Sequence, residues 1–152
     1  KLFYIELTLI NKLYYGRKGS RRVTTDVYAL ATAVLFQSPV QHFALAPNNL
    51  TDAPAWAIDF MKSVPTSWDE VRYIDGYPGK YIIMARRSGD KWYIAGVNAM
   101  EQPLKQNVAL PMLEAKSMVT LYQNGEVKEV KVSKKQTVSI EIPTHGGVVI
   151  VQ

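Results

Sequence analysis

The chain has 152 residues, of which 47% are hydrophobic and 20% charged, and it contains no cysteine. This length fits one ordinary domain, or one domain with part of another, and the apolar content excludes a mainly disordered chain. The absence of cysteine excludes disulfides, cysteine–zinc sites and thiol catalysis.

The net charge of +5 arises at the start of the chain. The first 25 residues hold six of the 18 basic residues and one of the 13 acidic ones, so twelve of each remain in the rest. A surface that binds nucleic acid normally lies on the folded domain itself. We therefore read residues 1–23 as an atypical basic, solvated segment and predict no nucleic-acid partner. We predict no membrane partner either, because no apolar run approaches the roughly 20 residues that a bilayer requires.

Residues 24–66 show helical periodicity around one short apolar run. Thr24 or Thr25 can cap a first helix, and Thr51 or Asp52 a second one that ends at Pro65. The run Val40–Ala46 predicts a buried strand in which His42 is a hydrogen-bonded core residue. The predicted buried faces are Val27, Leu30, Ala31, Val34 and Leu35 in the first helix, and Trp56, Phe60, Met61 and Val64 in the second. Two helices and one strand cannot close a layered domain, so they resemble the end of an α/β domain.

After Trp68 the periodicity is that of strands, with turn residues every eight to twelve positions. Ser88-Gly89-Asp90 and Asn124-Gly125 are hairpin signals. The predicted strands are 70–75, 80–87, 91–98, 107–110, 118–123, 126–132, 137–142 and 148–151. About eight strands without intervening helices predict a mainly β fold, an antiparallel β-sandwich over residues 67–152 preceded by a helix–strand–helix unit.

Catalysis of glycoside cleavage requires two carboxylates across one bond, about 5–9 Å apart. Asp52 reads as a helix cap, Asp59 as a solvated residue and Asp75 as part of a turn. Asp69 and Glu70 are adjacent, so in an extended chain they would point to opposite faces. We therefore predict no catalytic residue in this chain. With His42 and a turn residue, His145, as the two histidines, we also predict no metal site.

Aromatic residues are dense where the helical part meets the sandwich. Aromatic faces stack on sugar rings, and they also bury large areas where two parts of a protein meet. Both interpretations stay open for Trp56, Trp68, Tyr77, Trp92 and Tyr93. Burial of Trp68, Trp92 and Tyr77 would favour a junction, whereas exposed, coplanar rings would favour a carbohydrate partner.

Four segments in one order resemble the C-terminal end of glycoside hydrolase family 97. They are Phe36-Gln37-Ser38-Pro39-Val40-Gln41, Val64-Pro65-Thr66-Ser67-Trp68-Asp69-Glu70, Asp75-Gly76-Tyr77-Pro78-Gly79-Lys80-Tyr81 and Ala85-Arg86-Arg87-Ser88-Gly89-Asp90-Lys91-Trp92-Tyr93-Ile94-Ala95-Gly96. The order agrees from about Arg21 to the end, whereas residues 1–20 depart from the family pattern.

The resemblance implies that residues 24–66 are the last elements of a (β/α)8 barrel and that residues 67–152 are the C-terminal sandwich. It implies a parent enzyme that hydrolyses α-glucosides or α-galactosides, with calcium at a site formed by earlier parts of the barrel and by an N-terminal domain. An extracytoplasmic location is also implied. No segment here matches the family's catalytic or calcium-binding motifs, so we expect neither in this chain.

The expected role is therefore a non-catalytic C-terminal fragment of a family 97 glycosidase that braces the barrel through the junction aromatics. The alternative is a stand-alone carbohydrate-binding sandwich. The expected partners are the missing barrel, a carbohydrate in the alternative, and a second copy, because a barrel remnant that lacks its neighbours exposes apolar surface.

Overall fold

The computed structural model describes residues 23–36, 38, 40–43 and 53–152. The basic segment lies outside this part apart from Val23, and so do the predicted cap residues Thr51 and Asp52. No helix within these ranges is long and apolar enough to cross a membrane.

Two helices precede the strands. Helix α1 spans Asp26–Leu35, and the Thr25 hydroxyl accepts a hydrogen bond from the Tyr28 amide at 3.2 Å, as its predicted capping role requires. Helix α2 spans Ala55–Ser63 and starts after Pro54. The five residues predicted to form the buried face of α1 are all buried, and in α2 Phe60, Met61 and the following Val64 are buried beside a half-buried Trp56.

The segment between the helices differs from the prediction. Residues 40–43 contain an isolated bridge at His42 instead of a strand, and residues 44–46 lie outside the described part. Val40 is 43% exposed and His42 is exposed as well. The prediction of a core histidine in a buried strand was therefore wrong. A short apolar run does not distinguish a buried strand from a loop that lies against a helix, and here the Gln41 amide donates to the Ala33 carbonyl of α1.

The eight predicted strands are all present and antiparallel. They are β1 (Glu70–Tyr77), β2 (Tyr81–Ser88), β3 (Lys91–Asn98), β4 (Leu104–Ala109), β5 (Met118–Gln123), β6 (Glu126–Lys131), β7 (Thr137–Ile142) and β8 (Gly147–Val151). Six of them form one sheet in the order β1-β2-β3-β8-β5-β6, and β4 pairs with β7 in a second, two-stranded sheet. Strand β4 begins three residues earlier than predicted, because Leu104 and Gln106 pair with Ile142 and Ile140 of β7.

The six-stranded sheet is covered on both faces. On the sandwich face, side chains of β2, β3, β5 and β8 pack with Val108, Val138 and Ile140 of the small sheet. On the helix face, Tyr93, Ala95 and Val149 pack with α1 and α2. Strand β3 is consequently buried on both sides, which explains its nearly continuous apolar sequence.

Candidate functional site

The contact between helix α1 and the sheet, here called the helix–sheet junction, is a closely packed feature of the described chain. Helix α1 lies across β3 and β8, with eight of its ten residues buried. At Gly147 a Cβ atom would come within 2.7 Å of the Tyr28 amide nitrogen and the Val27 carbonyl oxygen. The helix backbone therefore rests directly on β8, and only glycine fits at this point.

Two aromatic groups extend the junction on either side. From α2, Trp56 and Phe60 pack against Tyr122 of β5, with ring centroids 6.1 and 5.3 Å apart. Before β1, Trp68 packs edge-on against Tyr93 of β3, with centroids 5.4 Å apart. Trp56, Trp68 and Tyr93 thus belong to one layer between the helices and the sheet. This is the location that the junction interpretation requires.

Arg86 is a buried cation at the C-terminal end of α1. It is 4% exposed, its Nη2 donates to the Leu35 carbonyl at 3.0 Å, and its Cζ lies 5.9 Å from the centre of the Trp68 ring. The C-terminal end of a helix carries partial negative charge, which favours a cation there. Among the described residues its Nε and Nη1 have no hydrogen-bond partner. Burial lowers the pKa of the guanidinium from its usual value.

The tyrosines of the junction are held in their neutral form. Burial raises the pKa of Tyr93 above its usual value. Burial also raises the pKa of Tyr122, with smaller contributions from the negative charges of Glu129 and Asp59. Both shifts arise because the phenolate would lose hydration in an apolar layer. At ordinary pH, both tyrosines therefore contribute to the junction as neutral, packed rings.

Trp92 and Tyr77 lie away from this junction. Trp92 is 6% exposed and faces the sandwich core, with the Arg72 guanidinium 4.8 Å from its ring centre. Tyr77 is 62% exposed at the turn between β1 and β2. Of the three rings chosen to separate the two interpretations, Trp92 is buried, Trp68 is half-buried and Tyr77 is exposed.

Tyr77 borders a cavity of about 350 Å³, here called the tyrosine pocket. Its walls include Tyr73, Tyr77, Pro78 and Tyr81, and its floor includes Ile82 and Val97. Tyr73 donates through its hydroxyl to the Gly76 carbonyl at 2.7 Å, and Tyr81 donates to Asp75 at 3.0 Å. The Lys80 ammonium lies 4.9 Å from the centre of the Tyr77 ring. The pocket is thus pre-formed, aromatic and mostly apolar.

The two adjacent carboxylates at the start of β1 have structural partners. Asp69 and Glu70 both contact Arg87, at 3.7 and 3.3 Å, and the Asp69 carboxylate also accepts from the Gly89 amide. The condition for opposite faces, an extended pair within one strand, is not met, because Asp69 lies just before β1 and its carboxylate contacts the β2–β3 loop at Gly89. Hydrogen bonds from Arg72 and Arg87 hold the pKa of Glu70 below its usual range, against a smaller opposing effect of burial.

Asp75 and Asp59 behave as the sequence predicts. The Asp75 carboxylate accepts from the Gly76 amide at 2.8 Å and from Tyr81, which stabilises the turn. Asp59 is exposed and lies 3.9 Å from Lys62. His145, in the turn before β8, lies 3.8 Å from Glu101.

The described residues do not fit a calcium site. Within ranges 23–43 and 53–152, the described His, Asp and Glu side chains form no group of three that could hold a metal ion. Carboxylate and carbonyl oxygens in sixfold or higher number are the usual calcium ligands. Calcium thus remains a prediction for the complete enzyme, and no step is assigned to it here.

Sequence reasoning missed the roles of Tyr122, Arg86 and Gly147. Tyr122 and Arg86 lie in strands that the sequence pattern predicts correctly. The pattern does not show, however, that helices cover the second face of these strands. The apolar run from Trp92 to Val97 in β3 carried that signal, since only a strand buried on both faces has such a sequence. Gly147 carried none, because close approach of another backbone leaves no local pattern.

Comparison with known proteins agrees with this architecture. The family described as "Glycosyl-hydrolase 97 C-terminal, oligomerisation" matches residues 67–151. A probable retaining alpha-galactosidase from Streptomyces bingchenggensis is 29% identical over 139 residues, which are 88% of this chain and 21% of that protein. The retaining alpha-galactosidase of Bacteroides thetaiotaomicron is 41% identical over 68 residues, 45% of this chain and 10% of that protein.

A solved structure extends the similarity to the fold. The crystal structure of a beta-arabinopyranosidase superimposes with a TM-score of 0.84 and 52% identity, over 90% of this chain and 22% of that one. The chain therefore spans about a fifth of the length of these relatives. With eight antiparallel strands in place and more than half of its residues matched, the chain belongs to glycoside hydrolase family 97, and residues 67–151 are its C-terminal domain.

Proposed function

We propose that this chain is a non-catalytic C-terminal part of a family 97 glycosidase and that it braces the catalytic barrel. The observation that carries the proposal is the helix–sheet junction, where α1 rests on Gly147 and the aromatic pairs Trp68–Tyr93 and Phe60–Tyr122 lock both ends. In this proposal α1 and α2 correspond to the last helical elements of the barrel. The sheet then holds them in place for the rest of the enzyme.

The carboxylate contacts support a role without chemistry. Asp69 and Glu70 are engaged by Arg87, and Asp75 by the turn that it stabilises. A general acid needs a raised pKa, whereas the pKa of Glu70 is lowered. Asp69 is exposed and Glu70 and Asp75 are half-buried, so water reaches all three carboxylates.

The relatives favour one configuration of sugar for the parent enzyme. The two curated relatives are named as a probable and an established retaining alpha-galactosidase, and the solved structure described above is a beta-arabinopyranosidase. These substrates share the orientation of the ring hydroxyls and differ at C6. We therefore propose a parent that acts with retention on α-galactosides or β-L-arabinopyranosides, in preference to the α-glucosides that were the other expectation.

Hydrolysis assays test the absence of catalysis. The purified chain is incubated with aryl α-galactoside, aryl β-L-arabinopyranoside and aryl α-glucoside, with and without calcium. We expect no turnover above background for any of the three. Turnover that persists through repurification, and that is lost in Glu70→Gln but kept in Glu141→Gln, would overturn the proposal.

Thermal unfolding tests the brace. Tyr93→Ala removes a buried ring of the junction and should lower the free energy of unfolding by about 3–5 kcal/mol. Tyr77→Ala removes an exposed ring of the same chemistry and serves as the matched control, with an expected change within about 0.5 kcal/mol. Equal losses of unfolding free energy in the two variants would contradict a stabilising role of the junction.

The tyrosine pocket favours a second candidate function, the binding of a carbohydrate. Two exposed rings flank a cavity whose size is at the lower end of ligand sites, and hydrogen bonds fix Tyr73 and Tyr81 in place. An apolar floor suits the C–H face of a pyranose. Saturation-transfer NMR with galactose and with L-arabinose should then show contact that Tyr73→Ala abolishes. Equal signals from wild type and Tyr73→Ala would remove this candidate.

The family description also names oligomerisation, and we propose that this chain self-associates. Val23, Phe36 and Val40, near the helical elements, are exposed apolar residues, as expected for a barrel remnant. Val71 and Tyr73 of β1 are exposed as well. Sedimentation velocity over a concentration series tests self-association directly, and a single monomeric species at every concentration would contradict it.

A further inference from the structure

The two outer strands of the six-stranded sheet are protected to different degrees. An outer strand offers unpaired backbone groups to other chains, and proteins commonly block it with charged side chains. Strand β6 follows this rule, because Glu126, Lys128, Glu129 and Lys131 are all exposed along its six residues. Strand β1 instead exposes Val71 (44%) and Tyr73 (62%) on the helix side of the sheet.

The other face of β1 carries one charge of each sign. Glu70 accepts from Arg72 Nε at 2.6 Å and from Arg87 Nε at 3.3 Å, and both Glu70 and Arg72 stay partly exposed. A guanidinium has five N–H donors, and the described contact with Glu70 uses one of those on Arg72. Both side chains can therefore engage a further charged partner without giving up their present contacts.

We propose that β1 pairs antiparallel with β1 of a second copy of this chain, about a two-fold axis at Val71. This inference rests on the proposed self-association and names its interface. The six-stranded sheet of each copy would continue into that of the other. The backbone groups on the outer edge at the start of β1, which pair with no other described strand, would then form ladder hydrogen bonds. Such an interface is isologous, with the same residues on both sides.

The charges of Glu70 and Arg72 favour this register over the two neighbouring registers. With Val71 opposite the partner copy's Val71, Glu70 of each copy faces Arg72 of the other, giving two opposite-charge pairs. An axis at Glu70 would place the two Glu70 carboxylates opposite each other, and an axis at Arg72 would do the same with two guanidinium groups. Like charges directly opposite across two strands are destabilising, whereas opposite charges stabilise.

The geometry of β1 also limits the size of the interface. The register with β2 shifts between Tyr73 and Asp75, and such a bulge bends the strand and ends regular pairing. The ladder between copies therefore covers only the first residues of β1. Interfaces below about 1,200 Å² belong to the weak and transient class, so we expect an equilibrium between monomer and dimer.

Sedimentation velocity on charge-reversal variants tests the register. In a dimer of Glu70→Arg, position 70 of each copy and position 72 of the other would both be positively charged. In a dimer of Arg72→Glu, the same two pairs of positions would both be negatively charged. Each variant alone should dimerise at least roughly tenfold more weakly than wild type, a loss of about 1.4 kcal/mol. An equimolar mixture of the two variants restores one opposite-charge pair at each position, so it should recover dimer.

Controls separate this inference from the proposal on which it rests. Lys128→Glu and Glu129→Arg on β6 are matched charge reversals that should leave dimerisation unchanged. Glu70→Arg also removes an acceptor from Arg87, so Val71→Lys provides a second variant that keeps all contacts of Glu70 and should block pairing. The thermal midpoint of each variant verifies that it is folded.

The outcomes are distinct. A wild-type chain that stays monomeric overturns self-association and this interface together. A wild-type dimer that persists in both single variants and in Val71→Lys overturns the β1 interface alone. Loss of the dimer in Phe36→Ser but not in the β1 variants would transfer the interface to the helical elements. Loss in the β1 variants with recovery in the mixture supports the proposal.

Discussion

The two faces of the six-stranded sheet are covered in different ways. On the sandwich face, side chains of Ile83, Ile94 and Ile150 pack with those of the small sheet, as in other sheet-on-sheet packings. On the helix face, α1 comes so close that its backbone meets Gly147, and aromatic rings fill the space at its sides. The first face depends on side chains fitting side chains, and the second depends on backbone contact and a few large rings.

The contrast between side-chain packing on one face and backbone contact on the other suits different roles of the two faces in the proposed function. The sandwich face holds the two sheets of the C-terminal domain together, whereas the helix face joins that domain to helices that the proposed function assigns to the barrel. In the proposed function, the junction has to keep α1 from moving as a rigid body relative to the sheet. Direct backbone contact at Gly147 and the edge-on ring pairs provide that resistance.

Large-to-small substitutions should give the largest effects and show whether the two faces unfold together. Phe60→Ala on the helix face and Ile94→Ala on the sandwich face each remove a side chain that is 1% exposed. We expect losses of about 3–5 and about 2–5 kcal/mol, respectively, in urea unfolding followed by circular dichroism. Two separate transitions in either variant would show that the faces are independent.

An added methyl group should discriminate the faces more sharply. In Gly147→Ala the new Cβ meets the backbone of α1 at 2.6–2.7 Å. In Gly96→Ala it meets Cγ1 of Ile83 at 3.0 Å, Cδ1 of Ile142 at 3.1 Å and the Ile82 carbonyl oxygen at 3.2 Å, so most of the close atoms belong to side chains. Side chains can shift by a few tenths of an ångström more easily than a helix backbone. We expect Gly147→Ala to cost up to about 3 kcal/mol and Gly96→Ala to cost about 1 kcal/mol. The reverse order in thermal unfolding would contradict the backbone contact.

Removal of the α1 cap should have a moderate effect confined to the helix face. Thr25→Ala deletes the acceptor for the Tyr28 amide, at an expected cost of about 1 kcal/mol. Thr25→Ser keeps the hydroxyl and is the control. Near-ultraviolet circular dichroism together with the urea midpoint measures the change, and identical midpoints for the Ala and Ser variants would rule out the capping role.

The pH dependence of folding stability should distinguish contributions of the helix face from those of the edge strand β1. The folded-state pKa values of Tyr93 and Tyr122 are raised above the usual 10.0, so their contribution is complete below pH 10 and is lost as pH rises through the folded values. Tyr93→Phe and Tyr122→Phe should reduce the alkaline loss of stability. Alkaline melting curves measure it, and unchanged slopes in both variants would contradict the cause given.

Glu70 acts at the opposite end of the pH scale. Its folded-state pKa is lowered from 4.5, so its contribution is present above that value and is lost as pH falls through the lower folded one. The effect should be the smallest of the series, because exposed ion pairs contribute little. Glu70→Gln should flatten the acid limb of the stability curve slightly, and Glu141→Gln is a matched exposed control.

Most of the sandwich could be predicted from the sequence, because period-two alternation and turn residues are local signals. The strands at Lys91–Asn98 and Met118–Gln123 were predicted to the residue. The buried face of α1 followed from helical spacing for the same reason. The resemblance to family 97 rested on four ordered segments, and the comparisons confirm it.

What failed depended on contacts distant in sequence. His42 was predicted inside a buried strand, because its exposure cannot be read from the mainly apolar run 40–46. Trp92 and Tyr93 are adjacent, yet one faces the sandwich core and the other faces the helices, and only the second belongs to the junction. Which face of β3 meets which layer is decided by the fold as a whole.

Native-state hydrogen exchange of the chain tests the central claim most directly. If the junction joins the helices and the sheet into one cooperative unit, amides of α1 and of β3 should exchange with the same opening free energy. That free energy should equal the free energy of global unfolding. Gly147→Ala should then lower both together. Exchange of α1 at a much lower free energy, while β3 keeps its full protection, would contradict the brace.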